Sequence, residues 1–507
     1  MLDHLIEQLL LSAAAIVIVL LVAYLVRLNQ LLLGTPDEVK QLAPKRWTEK
    51  QLREAYHKLE ENPITTESYA DRLPPKLERR YIVTGGSGLV GGYIVLQLLA
   101  RGHPPSAIRI VDFRRPNRPD MISNAACASI PFVQADISSR SSTLAAFSAP
   151  WHPSVARFPL TVFHTAAVIV PSDRSKLVAG FCEAVNVRGT ENVVEAARKA
   201  GADVLVSTTS ASISIRPVGV WMAPWRMVPW FGRKRWPRGH WQVLDERDFF
   251  EPLRKHDEFY ANYPASKARA ERIVCEANSE GMRTGCVRPA NGVYGNPTDN
   301  TVGGALAKEV LPTWTSHIVH SFVHGINVSI AHLDFEAILA SPESASSPQA
   351  GRPFVVTDPN PPIAYSDLYF LVKTLAATPF RTLTLQPILM VLLSYPIEWY
   401  SLALVKYPFL RRFLPELTGD AKHLKPGIFS ICTHLVGSNA VASKPVRDGG
   451  LGYTGILTTL EGMVQEVVEW NRDHQHAPGE RKAYQTSLSL ADEIAKAAAA
   501  VEWVSSS

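Results

Sequence analysis

The chain has 507 residues, 46% hydrophobic and 20% charged, which is enough apolar material for a large core and excludes a largely disordered chain. A formal net charge of +5 is too small at this length for extended nucleic-acid binding. The five cysteines (Cys127, Cys182, Cys275, Cys286 and Cys432) form no CxxC pair and have no histidine at ligand spacing, so they read as reduced thiols of a cytosol-facing protein that holds no metal.

Residues 9–26 contain no charged side chain. At about 1.5 Å per residue a helix of that length crosses the hydrocarbon core, and it is longer than the apolar part of a cleaved signal. Asp3 and Glu7 precede it, whereas Arg27, Lys40, Lys45, Arg46 and Lys50 follow. The positive flank places the rest of the chain in the cytosol. Residues 1–34 are thus expected to be a membrane anchor. Residues 35–78, rich in proline and with one helix over 48–61, are expected to be a spacer that lifts the body slightly off the membrane.

At Arg80 the pattern changes. Tyr81, Ile82 and Val83 lead into TGGSGLVG (84–91) and then an apolar helical stretch over 93–99. This is a strand, a glycine turn and a helix. Gly85 permits the tight turn, Gly88 lets the backbone approach a pyrophosphate, and Gly91 lets the helix pack close to the strand with its first N–H groups facing phosphate. A second strand, 107–111, ends in Asp112, where a carboxylate can bond the adenosine ribose and repel a 2′-phosphate. Arg114 and Arg115 follow, either as solvated loop cations or as acceptors of that phosphate, so NAD is preferred and NADP stays open. Further strands over 131–135, 160–164, 204–208 and 283–287 alternate with helical stretches such as 188–200. The expected class is α/β: a Rossmann doubly wound parallel sheet over 79–335, with the cofactor at its carboxyl edge and a smaller substrate-binding lobe over 336–476.

The strand over 204–208 runs into Thr209, Ser210 and Ala211, and Tyr263 and Lys267 follow, one helical turn apart. A free tyrosine, with a pKa of about 10, is a poor base at neutral pH. A lysine ammonium and the cationic nicotinamide ring beside it favour the phenolate. Tyr263 would then take a hydroxyl proton while hydride leaves the carbon, with Ser210 holding the substrate oxygen and Lys267 also binding the nicotinamide ribose. By itself YxxxK is equally a surface helix; the glycine turn and the serine-ended strand upstream give it weight.

Between Ser210 and Tyr263 lies an unusual stretch, 216–242, with five of the eleven tryptophans and Arg216, Arg226, Arg233, Lys234, Arg235 and Arg238. Membrane contact is the preferred reading, a structural lid the second, and nucleic-acid stacking is set aside. Residues 383–407 are apolar but broken by Gln386, Pro387, Pro396 and Glu398. They are expected to line a greasy pocket, lie in the membrane interface, or form a plain core helix pair, rather than to cross a bilayer. Residues 477–507 read as a peripheral tail.

The motifs TGGSGLVG (84–91), HTAA (164–167), NVRGTENV (186–193), TTSA (208–211), YPASKARAE (263–271) and RPANGVYG (288–295) resemble the extended short-chain dehydrogenases. Over about residues 80–470 the chain is most similar to the 3β-hydroxysteroid dehydrogenase branch, which includes the decarboxylating sterol 4α-carboxylate 3-dehydrogenases. IAHLD (330–334) and LGY (451–453) match later segments of that branch, the former read as structural. The resemblance implies a Ser210, Tyr263, Lys267 triad. It places cofactor contacts at Gly85, Gly88, Leu89, Val90, Gly91 and Asp112, at Asp136 and Ile137 by the adenine, at Ala166 and Ala167 beneath the ribose, at Lys267, and at Pro289 near the carboxamide. Two departures stand out: the Ser210–Tyr263 interval is about twice the usual one, and Thr209 replaces the commoner first serine. The choice of hydroxyl stays open, with the place before Ala211 favouring Ser210.

The implied function is NAD(P)-dependent oxidation of a 3β-hydroxyl on a sterol, triterpenoid or related polycycle, with loss of a C4 carboxylate left open. The alternatives are an NADPH-dependent ketone reductase, a 3β-hydroxysteroid dehydrogenase/Δ5-isomerase whose proton shuttle is not evident, and a non-catalytic membrane-tethered NAD scaffold. The expected partners are a small lipophilic substrate and a membrane, that of the endoplasmic reticulum with a single pass, and no nucleic acid; a homodimer is left open.

Overall fold

The computed structural model describes residues 2–43, 46–227 and 235–475. The spacer's Pro44 and Lys45, the part of the insertion with Trp230, Arg233 and Lys234, and the tail at 477–507 lie outside the described residues. The body is organised on a parallel sheet of seven strands: β1 Arg80–Thr84, β2 Ile108–Asp112, β3 Phe132–Gln134, β4 Leu160–His164, β5 Ala202–Thr208, β6 Arg283–Pro289 and β7 Pro353–Val356. Their order is β3-β2-β1-β4-β5-β6-β7, and it reverses between β1 and β4. Outside the carboxyl ends of the strands, that reversal leaves a crevice for a dinucleotide.

The strands are largely apolar because both faces are covered. Tyr81 and Val83 pack with the helices Leu89–Ala100 and Gly325–Leu339. Ile82 points the other way, into a cluster with Val193 and Val274 from the helices Gly189–Lys199 and Asn262–Glu276. Alternation of side chains along one strand thus serves two helical layers.

Three features differ from the expected layout. β7 belongs to the sheet, yet it comes from the stretch read as the substrate lobe. A four-stranded sheet joins Ile363–Ala364, Val319–His320 and His434–Gly437 to Trp241–Leu244, so the end of the insertion is a strand and not a free flap. The spacer is no stand-off. Its helix Glu49–Glu61, capped by Thr48 and Gln51, buries Leu52 and Leu59 in a cluster with Leu371 of the helix Tyr365–Leu375 and Val467 of Thr459–His474. Two leucines seven residues apart lie on one helical face, and that face docks on the body.

The N-terminal helix runs Leu2–Leu32, longer at both ends than its apolar stretch. Residues 3–23 are exposed, and packing begins at Tyr24. The free part is about 31 Å long, close to a hydrocarbon core. The apolar stretch at 383–407 contributes one helix, Pro387–Lys406, with Pro396 inside it.

Candidate active site

The glycine loop is formed by tight backbone approaches. Gly85 has φ +73°, which favours glycine, and a Cβ there would come within 2.6 Å of the Ala166 nitrogen. A Cβ on Gly91 would stand 2.3 Å from the Gly85 carbonyl oxygen and 2.7 Å from Thr165 Oγ1. At Gly88 the nearest atom is the Gly85 oxygen, 3.2 Å away, so the loop's outer face is open. The helix Leu89–Ala100 starts directly after Gly88, and its first amides face that opening with the positive end of the helix dipole. This cradle fits a pyrophosphate.

The other expected cofactor residues ring the same carboxyl edge. Asp112 ends β2, and its carboxylate accepts from Ser87 N at 3.0 Å and Arg114 N at 3.3 Å. It thereby holds the turn, and burial pushes its pKa up. Asp136 closes an Asx turn onto Ser138 beyond β3, while Ile137 is buried and its carbonyl accepts from Asn192 Nδ2 at 2.8 Å. Ala166 and the exposed Ala167 follow β4. Pro289 ends β6 and is buried. Of the two open arginines, Arg115 is exposed, with its guanidinium 4.9 Å from the Phe132 ring centroid.

Arg118 was not expected here. Its buried guanidinium donates to the carbonyls of Gly88 at 3.1 Å and Leu89 at 2.7 Å, sits over the Tyr93 ring and pairs with Asp120. It fixes the glycine loop from behind and adds a positive charge there. Gly92 makes room for it, since a Cβ there would meet Arg118 Nη1 at 2.6 Å. The only sequence signal is an arginine some thirty residues past the turn, which no spacing rule links to it.

The residues expected to carry the chemistry lie one strand over from β4. Ser210 follows β5 and caps the short turn Ala211–Ser214, its Oγ accepting from Ser212 N at 3.1 Å. Tyr263 and Lys267 are buried on the helix Asn262–Glu276. The Ser210 side chain lies close enough to the Tyr263 phenol to favour its ionised form. Lys267 Nζ donates to the Thr208 carbonyl at 2.8 Å. The three side chains expected together are brought together.

The structure also separates the two hydroxyls. Thr209 Oγ1 donates to Glu271 Oε2 at 2.9 Å and lies 3.3 Å from the Val287 carbonyl. It is committed to a buried network in which Glu271 takes Arg288 Nε at 2.8 Å and Nη2 at 2.5 Å, and Arg288 reaches Asp248 at 2.7 Å. Ser210 is the hydroxyl that faces the tyrosine.

One electrostatic expectation is corrected. Burial pushes the Tyr263 phenol up to about 12, the nearby Ser210 side chain acting against it, and Lys267 makes no resolved contribution. Burial also brings Lys267 down to about 8. Helical spacing puts the two residues on one face, but the ammonium is aimed at the Thr208 carbonyl and desolvation outweighs attraction.

With this geometry in place, comparison with known proteins becomes specific. The 3-beta hydroxysteroid dehydrogenase/isomerase family matches residues 82–217 and 246–385, more than half of the chain. The chain belongs to this family. The unmatched interval between the two segments holds most of the tryptophan-rich insertion. As a member of the 3-beta hydroxysteroid dehydrogenase/isomerase family, the protein is 29% identical over 270 residues to the 3 beta-hydroxysteroid dehydrogenase/Delta 5-->4-isomerase of Mycobacterium tuberculosis (strain ATCC 25618 / H37Rv), covering 50% of this chain and 60% of the relative. It is 25% identical to the 3beta-hydroxysteroid-dehydrogenase/decarboxylase isoform 2 of Arabidopsis thaliana, over 56% of this chain and 45% of that one. With the mouse short-chain dehydrogenase/reductase family 42E member 1 it shares 27% over 79% of this chain and 89% of the relative. Among solved structures, UDP-glucose 4-epimerase of Thermus thermophilus in complex with NAD superimposes with a TM-score of 0.47 at 19% identity, over 78% of this chain and 99% of that chain.

Proposed function

We propose that this family member is a membrane-anchored, NAD-dependent dehydrogenase that oxidises the 3β-hydroxyl of a sterol, triterpenoid or related polycycle. The observation that carries the reading is the placing of Ser210, Tyr263 and Lys267 together at the carboxyl edge where the glycine loop opens, with Lys267 donating to the Thr208 carbonyl at 2.8 Å. Gly85, Gly88, Leu89, Val90 and Gly91 would hold the pyrophosphate. Asp112 would take the adenosine ribose, which favours NAD over NADP. Asp136, Ile137, Ala166, Ala167 and Pro289 would complete the cleft. The nicotinamide, when bound, accepts the hydride.

Ser210 Oγ holds the substrate oxygen beside the Tyr263 hydroxyl. Tyr263, as phenolate, takes the hydroxyl proton, so the carbon–oxygen bond becomes a carbonyl as hydride leaves. A phenol at about 12 is rarely ionised at neutral pH, so proton removal by Tyr263 needs the positive charge that an oxidised nicotinamide would bring beside it, Ser210 assisting. Where a carboxylate sits on the neighbouring carbon, the new ketone makes a β-keto acid that loses CO2 without a metal; no residue is assigned to that step.

Residues 3–23 of the N-terminal helix would cross the bilayer once. The basic flank supports a body on the cytosolic side, and the endoplasmic reticulum is the proposed membrane.

The test is turnover of the purified full chain in nanodiscs with NAD and with NADP, against 3β-hydroxy sterols with and without a C4 carboxylate. NADH formation with at least one polycycle supports the reading. Inert polycycles together with reduction of smaller ketones by NADPH would replace it by the reductase alternative.

A further inference from the structure

His240 and Trp314 line one small cavity, and His240 Nδ1 and Trp314 Nε1 are buried with no hydrogen-bond partner among the described residues. Much of the wall is apolar, with Leu32, Val218, Val220 and Phe429. Its other polar groups are committed: His317 Nε2 donates to the Leu32 carbonyl at 2.8 Å and the Thr433 hydroxyl to the Ser430 carbonyl at 3.0 Å. Leaving a polar atom unpaired in such a wall is costly, so two in one cavity point to a polar ligand group.

The two atoms are complementary. His240 Nε2 donates to the Gly34 carbonyl at 2.9 Å, and burial lowers the pKa of the ring and keeps it neutral, so Nδ1 is an acceptor. The indole Nε1 can only donate. A hydroxyl satisfies both at once. A ketone oxygen would leave Nδ1 unpaired, and a carboxylate would be repelled by its lone pair. Both rings are held in place: His240 stacks on Trp236 at 5.3 Å and meets the edge of His434 at 5.1 Å, while Trp314 stacks on Phe429 at 5.6 Å. The cavity offers about 20 Å³, room for one oxygen-sized group and not for a ring.

Val218, Val220 and Phe429 also wall a second cavity, of about 300 Å³. Arg174, in the wall of that one, follows Asp173, whose carbonyl accepts from Asn262 N at 2.7 Å, directly before Tyr263. The larger cavity therefore lies between the start of the Tyr263 helix and the polar pair. The strand Trp241–Leu244 gives the scale. His240 precedes it, and Leu244 at its other end packs with Ala211, the neighbour of Ser210. Four residues of strand span about 13 Å, comparable with a four-ring skeleton. His240, Val218 and Val220 fall in 218–245, the interval that the family match leaves out, so the acceptor belongs to this chain's own insertion.

We propose that His240 and Trp314 form a subsite for a hydroxyl on the ring of the polycycle farthest from the one oxidised, and so select diols over mono-alcohols. The inference rests on reading Ser210 and Tyr263 as the site of 3β-oxidation.

The test separates binding from turnover, using the full chain in nanodiscs. The probes are androstan-3β-ol and its diol analogue with a second hydroxyl on the terminal five-membered ring. Calorimetry with NADH bound, so that no alcohol is oxidised, should show the diol binding about 10-fold or more tighter to the native chain. Trp314→Phe removes the donor, and His240→Gln keeps a donor for Gly34 while removing the ring acceptor. Each should bring the diol to within about twofold of the mono-alcohol, with the Kd of the mono-alcohol little changed. Trp225→Phe, which loses an indole that is 76% exposed, should keep the native ratio. If Trp314→Phe does not fold, His240→Gln and the native ratio decide. Equal binding of the two steroids by the native chain, a ratio that survives in both variants, or binding of neither steroid overturns the proposal. NADH formation from NAD is read apart: a diol preference that depends on the pair, with neither steroid oxidised, keeps the subsite and removes the oxidation reading.

Discussion

Replacing Gly91 by alanine tests the phosphate cradle without touching a polar group. The added Cβ would stand 2.3 Å from the Gly85 oxygen and 2.7 Å from Thr165 Oγ1, both belonging to the structure that shapes the turn. Relief requires the first turn of Leu89–Ala100 to retreat by at least about 0.7 Å, an overpacking that costs about 1–3 kcal/mol. That retreat also carries the helix amides away from the pyrophosphate, so about 1.4–3 kcal/mol of binding should be lost, a Kd rise of about 10- to 100-fold. Gly102→Ala is the control, because Gly102 also has positive φ (+81°) but nothing within 4 Å of its Cβ. It should lower Tm slightly and leave the Kd for NAD unchanged. Titration calorimetry with NAD, alongside thermal unfolding, reads both. A Gly91→Ala chain that binds NAD as tightly as the native one would refute the cradle.

Ser210→Ala should reduce kcat by about 100-fold or more, whereas Thr209→Val should cost about 1–3 kcal/mol of stability with little change in kcat per folded molecule, measured by steady-state rates and denaturant titration. Arg288→Met leaves Glu271 buried and unpaired, so unfolding in urea should reveal a loss of about 3–5 kcal/mol, part of which returns in Arg288→Met/Glu271→Leu. Glu466 is held well above its ordinary range by burial and then by the Asp299 carboxyl. An acid raised in the fold stabilises it fully below the ordinary value of 4.5 and loses that contribution as pH rises. Glu466→Gln should therefore have the higher Tm at pH 7, with the gain shrinking as pH falls to 4.5.

Much of the sheet is legible because its cause is local. Tyr81, Ile82 and Val83 are apolar in succession since both sheet faces are covered, and the glycines of the turn stand where close approach demands them. Tyr263 and Lys267 are brought to one side of the site because they share a helix face. What local pattern does not reveal is tertiary partnership. Glu271 and Arg288 sit inside two separate motifs, and their ion pair, which commits Thr209 and leaves Ser210, depends on a helix and a strand packing together. Arg118 reaches the glycine loop only because Gly92 leaves space. Trp241–Leu244 looks like the end of a loose insertion until it pairs with His434–Gly437. The direction of the Tyr263 shift is hidden for a similar reason: spacing reports who is near, while desolvation depends on everything packed around.

The central claim is that a buried tyrosine beside Ser210 moves the proton of a sterol-like alcohol next to a dinucleotide held on the glycine loop. Tyr263→Phe removes one oxygen and keeps the ring. In nanodiscs with NAD and a turned-over 3β-hydroxy polycycle, kcat should fall by about 100- to 10,000-fold while the Kd for NAD stays unchanged. Turnover within a few-fold of the native chain would contradict the account.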